Sequence, residues 1–390
     1  MREPAVASPP AVAIAGCGAT TAVGSGVAAL RSALRANASG LRPDPRFDSP
    51  RYQSNIVGAA SLDGDGSDVP AFQLAGEALR EAREQSREIL SSIPAARVGL
   101  VLSTTKANIS ALERLLENLP CSEAARRHLQ GNLLAADLAA AHGAGGPVQC
   151  VSVACVSGLV AIQQGVKLIQ RGEADAALVV GVDHLSAFVV AGFTALKAID
   201  PKGCRPFDRD RCGLSPGEAG AAIVLVRAGL APPSAIAIRG WGGSNDANHL
   251  TGPSRDGSGL TLAIRRALDA AGLQPRDIEY VNAHGTGTPY NDAMESLALR
   301  AVFGEQCPPV SGAKGMLGHT LGAAGVVETI LCVLAMQERM LPGTPGLAVP
   351  AEGTPASLVG EPRSVARLNR ILKLNTGFGG VNGALILGHG

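Results

Sequence analysis

Cys155 follows an apolar run, Val148–Val153, and stands two residues ahead of a helical pattern that opens with Ser157-Gly158. A thiol at such a junction faces the unpaired amides of the helix start, whose positive end favours the nucleophilic thiolate. Ala154, Ser157 and Gly158 are small enough for a sharp turn, so the segment reads as a nucleophile elbow although G-x-S-x-G itself is absent. His284 ends a second buried run, Tyr280–Asn282, and heads His284-Gly285-Thr286-Gly287-Thr288, with Asn291-Asp292 and Glu295 just beyond. Lys314 and His319 lie five residues apart inside the glycine-rich stretch Ser311–Gly325, again before a helix. Phe378 is the single aromatic of Gly377-Phe378-Gly379-Gly380, a pattern suited to a mobile gate with exposed amides. Taken one at a time, each has a plain alternative: a core thiol, a structural imidazole, a hairpin turn.

Other chemistries fit worse. The stretch around Lys314 lacks the spacing of a phosphate-binding P-loop. Gly16-Cys17-Gly18 lacks the third glycine and the downstream acid of a dinucleotide site. Neither H-E-x-x-H nor C-x-x-C occurs, so no metal is predicted.

The elements that must position these residues alternate. Ala11–Ala15, Val98–Ser103, Val148–Val153, Ala176–Val182 and Ala221–Val226 read as buried strands. Gly26–Arg35, Ala71–Arg87, Gly131–His142 and Ser157–Arg171 read as helices between them. A second series of strands lies near Ala235–Gly240, Tyr280–Asn282, Val310–Ser311, Leu372–Leu374 and Ala384–Leu387, with helices Gly259–Ala271, Ala293–Phe303 and Ala323–Gln337. That alternation predicts α/β layers on mostly parallel sheet. Each series has a strand, a turn carrying Cys or His, then a helix opening with small residues, which suggests a duplication. Pro232-Pro233 marks the joint, giving a linker over residues 1–10 and halves over 11–230 and 231–390.

Composition narrows the class further. The 390 residues carry 34 Lys+Arg against 33 Asp+Glu, so no global positive field exists to hold nucleic acid. With 46% apolar residues the chain is no disordered tail. Its 49 glycines are well above the usual ~7% and imply many tight turns and close backbone approaches. Eight cysteines without regular spacing read as reduced thiols, which points to the cytoplasm. Ile14-Ala15-Gly16-Cys17 superficially matches a lipoprotein box, but Ser8-Pro9-Pro10 interrupts the apolar run before it. No apolar run reaches the ~20 residues of a membrane span.

From about Val12 to Leu387 the chain resembles the elongating β-ketoacyl-acyl-carrier-protein synthases of the thiolase superfamily. The resemblance rests on an ordered set: Gly16-x-Gly18, Thr21-x-x-Gly24, Ala154-Cys155-x-Ser157-Gly158, Arg205-Pro206-Phe207-Asp208, Gly217-Glu218, His249-x-Thr251-x-Pro253, His284-Gly285-Thr286-x-Thr288, Asn291-Asp292-x-x-Glu295, Lys314-x-x-x-Gly318-His319 and Gly377-Phe378-Gly379-Gly380. It implies a thiolase-like fold of duplicated α/β halves in α-β-α-β-α layers. It also implies a decarboxylative Claisen condensation without a metal or redox cofactor. Cys155 would take the acyl chain, and the Cys155 and Phe378 amides would hold the oxyanion. His284 and His319 would stabilise the enolate, and Lys314 would pair with Glu295. Phe378 would gate, with Asp292, Thr286, Thr288 and Gly379 in support. Arg126, Arg127 and Arg205 fall where the family docks its acyl carrier protein. A homodimer, or a heterodimer with a ketosynthase-like paralogue, is implied as well.

Three departures from the family pattern point away from housekeeping fatty-acid synthesis, toward polyketide or aryl-polyene assembly. Arg211-Cys212-Gly213-Leu214 replaces R-D-G-F, Leu374-Asn375-Thr376 replaces Asn-Ser-Phe, and Ser103-Thr104-Thr105-Lys106 replaces a glycine-rich turn. Two alternatives stay open: an acyltransferase that makes ester or amide bonds, and a non-catalytic partner of the chain-length-factor kind.

Overall fold

The computed structural model describes residues 10–61 and 67–389, so all of the expected linker except Pro10 lies outside the described residues. Most runs that are apolar without alternation become strands buried on both faces between helix layers. The first series is β1 (Val12–Thr21), β2 (Val98–Ser103), β3 (Val148–Val151), β4 (Ala176–Asp183) and β5 (Ala219–Arg227). The second series is β6 (Ile236–Asn245), β7 (Tyr280–Ala283), β8 (Val310–Gly312), β9 (Arg370–Gly377) and β10 (Val381–His389). Along the sheet the order is β8-β7-β9-β10-β6-β1-β5-β4-β2-β3. Each set of five therefore has one topology. Three strands are parallel, β3-β2-β4 and β8-β7-β9; an antiparallel pair follows, β5-β1 and β10-β6. Among the described residues, strands of the two sets pair where Val12 and Ala13 of β1 oppose Ile238 and Ala237 of β6.

Seven helices are needed to describe the layers: α1 (Pro70–Gln85), α2 (Gly131–Ala141), α3 (Ser157–Gln170), α4 (Ala187–Ala195), α5 (Ser258–Ala271), α6 (Pro289–Phe303) and α7 (Ala324–Glu338). α1 packs on β1 and β5 as α5 packs on β6 and β10, on the two outer faces. α3 and α7 lie between the sheet halves, against each other and against strands of both. This is the α-β-α-β-α layering of a thiolase-like fold. The stretch Leu321–Glu338 is long and apolar enough to resemble a membrane span, but 89% of it is buried in this middle layer.

The two central helices approach most closely at their first turns. A Cβ on Gly158 would stand 2.8 Å from Gly325 Cα, and one on Gly325 would stand 2.4 Å from Leu159 N. Only glycine at both positions allows that approach, which brings the start of α3 beside the loop feeding α7.

Four expectations need correction. The sheet is not mostly parallel: of the nine neighbour pairings along its order four are parallel and five antiparallel, because each set of five closes with an antiparallel pair. β3 ends at Val151 and is partly exposed, with Val148 41% accessible, because it is the edge of the sheet rather than an interior strand. β1 runs to Thr21, well past Ala15, since glycines 16 and 18 let it lie against the α1 backbone. α4 and the short helices Ile109–Leu116 and Glu123–Arg127 were not expected; α4, AFVVAGFTA, is apolar all round and shows no period to read.

Candidate active site

β3 delivers the chain to the elbow. Ala154 takes φ +45°, the left-handed region that non-glycine residues avoid, and so turns the backbone back on itself. Ser157 holds the turn: its Oγ accepts from Val153 N at 2.7 Å and donates to Ala154 O at 2.6 Å. Cys155 is thereby set just before α3, with Sγ 3.0 Å from His319 Nε2. Burial pushes its thiol up to about 11, against the lowering influence of Lys314 and Lys106. The resting group is a thiol, not the thiolate expected from the helix start. Loss of water outweighs the helix end.

His284 leaves β7 into a site where its tautomer is decided. Lys314 Nζ, which can only donate, lies 3.1 Å from His284 Nδ1, and Asn375 Nδ2 lies 3.0 Å from the same nitrogen. Nδ1 must accept, which puts the proton on Nε2. His319 reaches the same state differently, because its Nδ1 accepts from Leu321 N at 3.3 Å. The two rings stand edge to face with centroids 5.3 Å apart. Burial, followed by the Lys314 charge, lowers the proton affinity of both imidazoles well below the ordinary value. Both are neutral, with Nε2–H groups.

Cys155, His284 and His319 each have a ligating atom within 4.8 Å of the others, a donor set that a soft cation would suit. The Lys314 ammonium argues against that use. It holds the His284 proton on Nε2, where a metal would need a lone pair.

Lys314 is fully buried and bonds His284 O at 2.5 Å and Glu328 Oε1 at 2.7 Å. Its partner is therefore Glu328 of α7, not Glu295 as the resemblance implied. Glu295 is occupied otherwise: its carboxylate accepts from His284 N at 2.5 Å and Gly285 N at 2.8 Å. Burial raises Glu295 to about 7. Asp292 accepts from Phe207 N and Gly287 N, so the two acids hold the loop after β7 by its backbone. Thr286 and Thr288 bond one another at 2.8 Å on the cavity wall.

Two cavities meet at the thiol. One of about 500 Å³ is lined by Cys155, both histidines, Thr286, Thr288, His249 and Thr251. The other, about 290 Å³, is lined by Cys155, Lys106, Val189, Phe193, Leu196 and Leu321, and is apolar. Phe378 borders both, in the tight β9–β10 turn where Gly379 and Gly380 take φ +82° and +74°. It is 39% exposed, and its ring lies 6.2 Å from that of Phe193.

The three arginines lie apart from this centre. Arg127 is bidentate to Asp137, Arg126 donates to Cys121 O at 2.6 Å, and Arg205 is mostly buried and bound to Asp200 at 2.9 Å. Four contributors were not anticipated: Glu328, Asn375, Lys373 and Asp183. Asp183 is buried and accepts from Thr104, Thr105 and Gly322, tying the turn after β2 to the His319 loop. Glu328 did leave a signal, since it is the one acid inside the otherwise apolar run Ala324–Gln337.

A cysteine at a strand–helix elbow, two neutral imidazoles and a paired lysine, on paired thiolase-like sheets, suit an acyl-transfer enzyme. The comparisons place it more narrowly. Residues 10–231 match the model for the β-ketoacyl synthase N-terminal domain, and residues 236–348 match that for the C-terminal domain. The chain is 33% identical to the tetracenomycin polyketide synthase ketoacyl synthase alpha subunit of Streptomyces glaucescens, covering 96% of each. It is 30% identical to 3-oxoacyl-[acyl-carrier-protein] synthase 2 of Coxiella burnetii, over 96% of this chain and 98% of that one. Among solved structures, the ishigamide ketosynthase/chain length factor superposes with TM-score 0.90 at 29% identity, covering 98% of this chain and 100% of that one. A ketosynthase in complex with its chain length factor from Xenorhabdus doucetiae gives 0.85 at 29%, covering all of both. The chain belongs to the β-ketoacyl synthase family.

Proposed function

We propose that the chain catalyses decarboxylative condensation of an acyl thioester with a malonyl thioester, through an acyl group carried on Cys155. Sγ attacks the acyl carbonyl, and the carrier's thiol leaves with the Cys155 proton. The backbone N–H groups of Cys155 and Phe378, for which no acceptor is found among the described residues, receive the oxyanion. The malonyl thioester then enters the larger cavity. Its bond to the carboxylate breaks, CO2 departs, and the electron pair becomes an enolate whose oxygen accepts from Nε2–H of His284 and His319. The enolate carbon attacks the acyl carbonyl, the C–S bond breaks, and the released Cys155 thiolate takes a proton from water to restore the thiol. Phe378 divides the two stages, since it borders both cavities.

The observation that carries this reading is the shared tautomer of the two imidazoles, both protonated on Nε2 beside one thiol. The test is to supply acyl- and malonyl-loaded carrier protein, then follow the Cys155 adduct by mass spectrometry together with CO2 release. An adduct without CO2 would favour the ester- or amide-forming alternative. No adduct at all would favour a non-catalytic partner.

The carrier of both substrates is an acyl carrier protein, with Arg126 and Arg127 as docking candidates on the exposed helix Glu123–Arg127. A second ketosynthase-fold chain, identical or paralogous, fits the open edge of β3. Exposed Leu112, Leu116, Phe188 and Leu196 add further apolar surface on nearby helices and on the wall of the apolar cavity. The relatives named for polyketide assembly, together with the departures around Cys212 and Leu214, favour a specialised pathway. We place the protein in the cytoplasm on its eight free cysteines, and divide it at residues 230/231 into its two halves.

A further inference from the structure

Lys373 is fully buried in the middle of β9, an interior strand. The other lysines and arginines of the ten strands are exposed or stand at strand ends, as Arg227, Arg239 and Arg370 do. An ammonium placed there is desolvated and needs a reason. Its Nζ lies 2.8 Å from Glu328 Oε2 and also donates to Leu374 O. Glu328 Oε1 is meanwhile held by Lys314 at 2.7 Å. One carboxylate thus serves two ammoniums, and the buried cluster carries one positive charge more than a simple Lys–Glu pair would.

That surplus is wired to the reacting groups. Asn375, two residues along the same strand, donates to Glu328 Oε2 at 3.1 Å and to His284 Nδ1 at 3.0 Å. Lys314 contacts the same imidazole nitrogen. Glu328 alone would neutralise Lys314. We propose that Lys373 is a positioning residue for the condensation half-reaction: by sharing Glu328 it leaves Lys314 incompletely neutralised beside His284, which favours the malonyl carboxylate and the enolate. This rests on the condensation reading above.

The surroundings agree in sign. Burial pulls Lys373 downward while Glu328 supports its charge. Glu328 itself, though burial would raise it, is held down to about 2 by the two lysines. The charged or titratable groups that bear on the imidazoles come from every neighbouring element: Lys314 after β8, Lys373 on β9, Glu328 on α7, Lys106 after β2, Glu295 on α6 and the Cys155 thiol before α3, besides each imidazole on the other. Lys373 is among those that lower both imidazoles. Removing its charge raises their proton affinity, so the acid limb of the rate profile moves to higher pH.

The test compares Lys373→Met and Lys373→Gln, which remove the charge, with Lys373→Arg, which keeps it. Wild-type activity in the same assay tests the condensation reading separately from this one. In the first two variants, acylation of Cys155 is expected to stay within about twofold of wild type. Their condensation kcat is expected to fall by about tenfold or more, with the acid limb higher by about one pH unit. Wherever Lys373→Arg folds, it should retain the wild-type limb. Folded Met and Gln variants with an unshifted limb and wild-type kcat would overturn the inference. So would failure of both to fold, which would assign Lys373 to the fold alone.

Discussion

The first five strands and the second five are wound alike, yet their interiors differ in kind. β1–β5 and their helices enclose mostly aliphatic side chains, and their buried acids, Asp183 and Glu218 among them, stand at strand ends without a buried lysine. β6–β10 and α7 enclose Lys314, Lys373, Glu328, Glu295 and Asp292, all fully or nearly fully buried. Cys155 comes from the first half, and the two buried lysines that bear on its surroundings come from the second. The connections compare the same way. Cys155 follows β3 directly into α3, whereas Lys314 and His319 occupy an extended link from β8 to α7. His284 follows β7 where Ser103–Lys106 follows β2. A scaffold built twice supplies equivalent turns, and the chemistry depends on what each turn holds.

Substitutions can break that division of labour, and the largest effect comes first. Cys155→Ala should abolish the acyl adduct seen by mass spectrometry while leaving the fold unchanged. His284→Ala should leave the adduct but reduce condensation by about 10²–10³-fold, measured as product per turnover. Equal loss of acylation in His284→Ala would mean that the halves are not separable in this way.

A pH series sharpens the comparison. The Cys155 thiol sits at about 11, and only its deprotonated form attacks, so that form grows as pH rises toward that value. Acylation measured by stopped flow should accelerate by about tenfold per unit between pH 7 and 9, with no plateau in that window. A plateau at neutral pH would show that a neighbouring group, not loss of water, controls the thiol. Condensation from a preformed acyl enzyme should lack this rise, since the imidazoles are already neutral.

The smallest effect is mechanical. Gly325→Ala puts a methyl group against the Leu159 backbone where the central helices cross, which should destabilise the protein by about 1–3 kcal/mol in urea unfolding. Because the crossing also sets the distance from Cys155 to His319, acylation should weaken as well. Stability lost without any change in acylation would separate the crossing from the site.

The strand–helix alternation was readable along nearly the whole chain, because strands buried on both faces are continuous apolar runs and their turns are rich in glycine. Cys155, His284, Lys314, His319 and Phe378 were readable too, since each interrupts such a run with a polar or aromatic residue among small ones. Partner choice was not. Glu295 and Glu328 are both acids on helices of the second half, and no spacing says which one meets Lys314. Lys373 left only the trace of one lysine in an apolar strand.

Sequence by itself determined the order of elements, the residues able to do chemistry and the glycines that clear room for them. These are local properties, set by side-chain period and by backbone freedom. Tertiary structure alone decided the protonation of the thiol, the tautomers of the two histidines and the pairing of Lys314, Glu328 and Lys373. Those depend on desolvation and on distances of about 3 Å between residues far apart in the chain, which come into being only when the two halves close on each other.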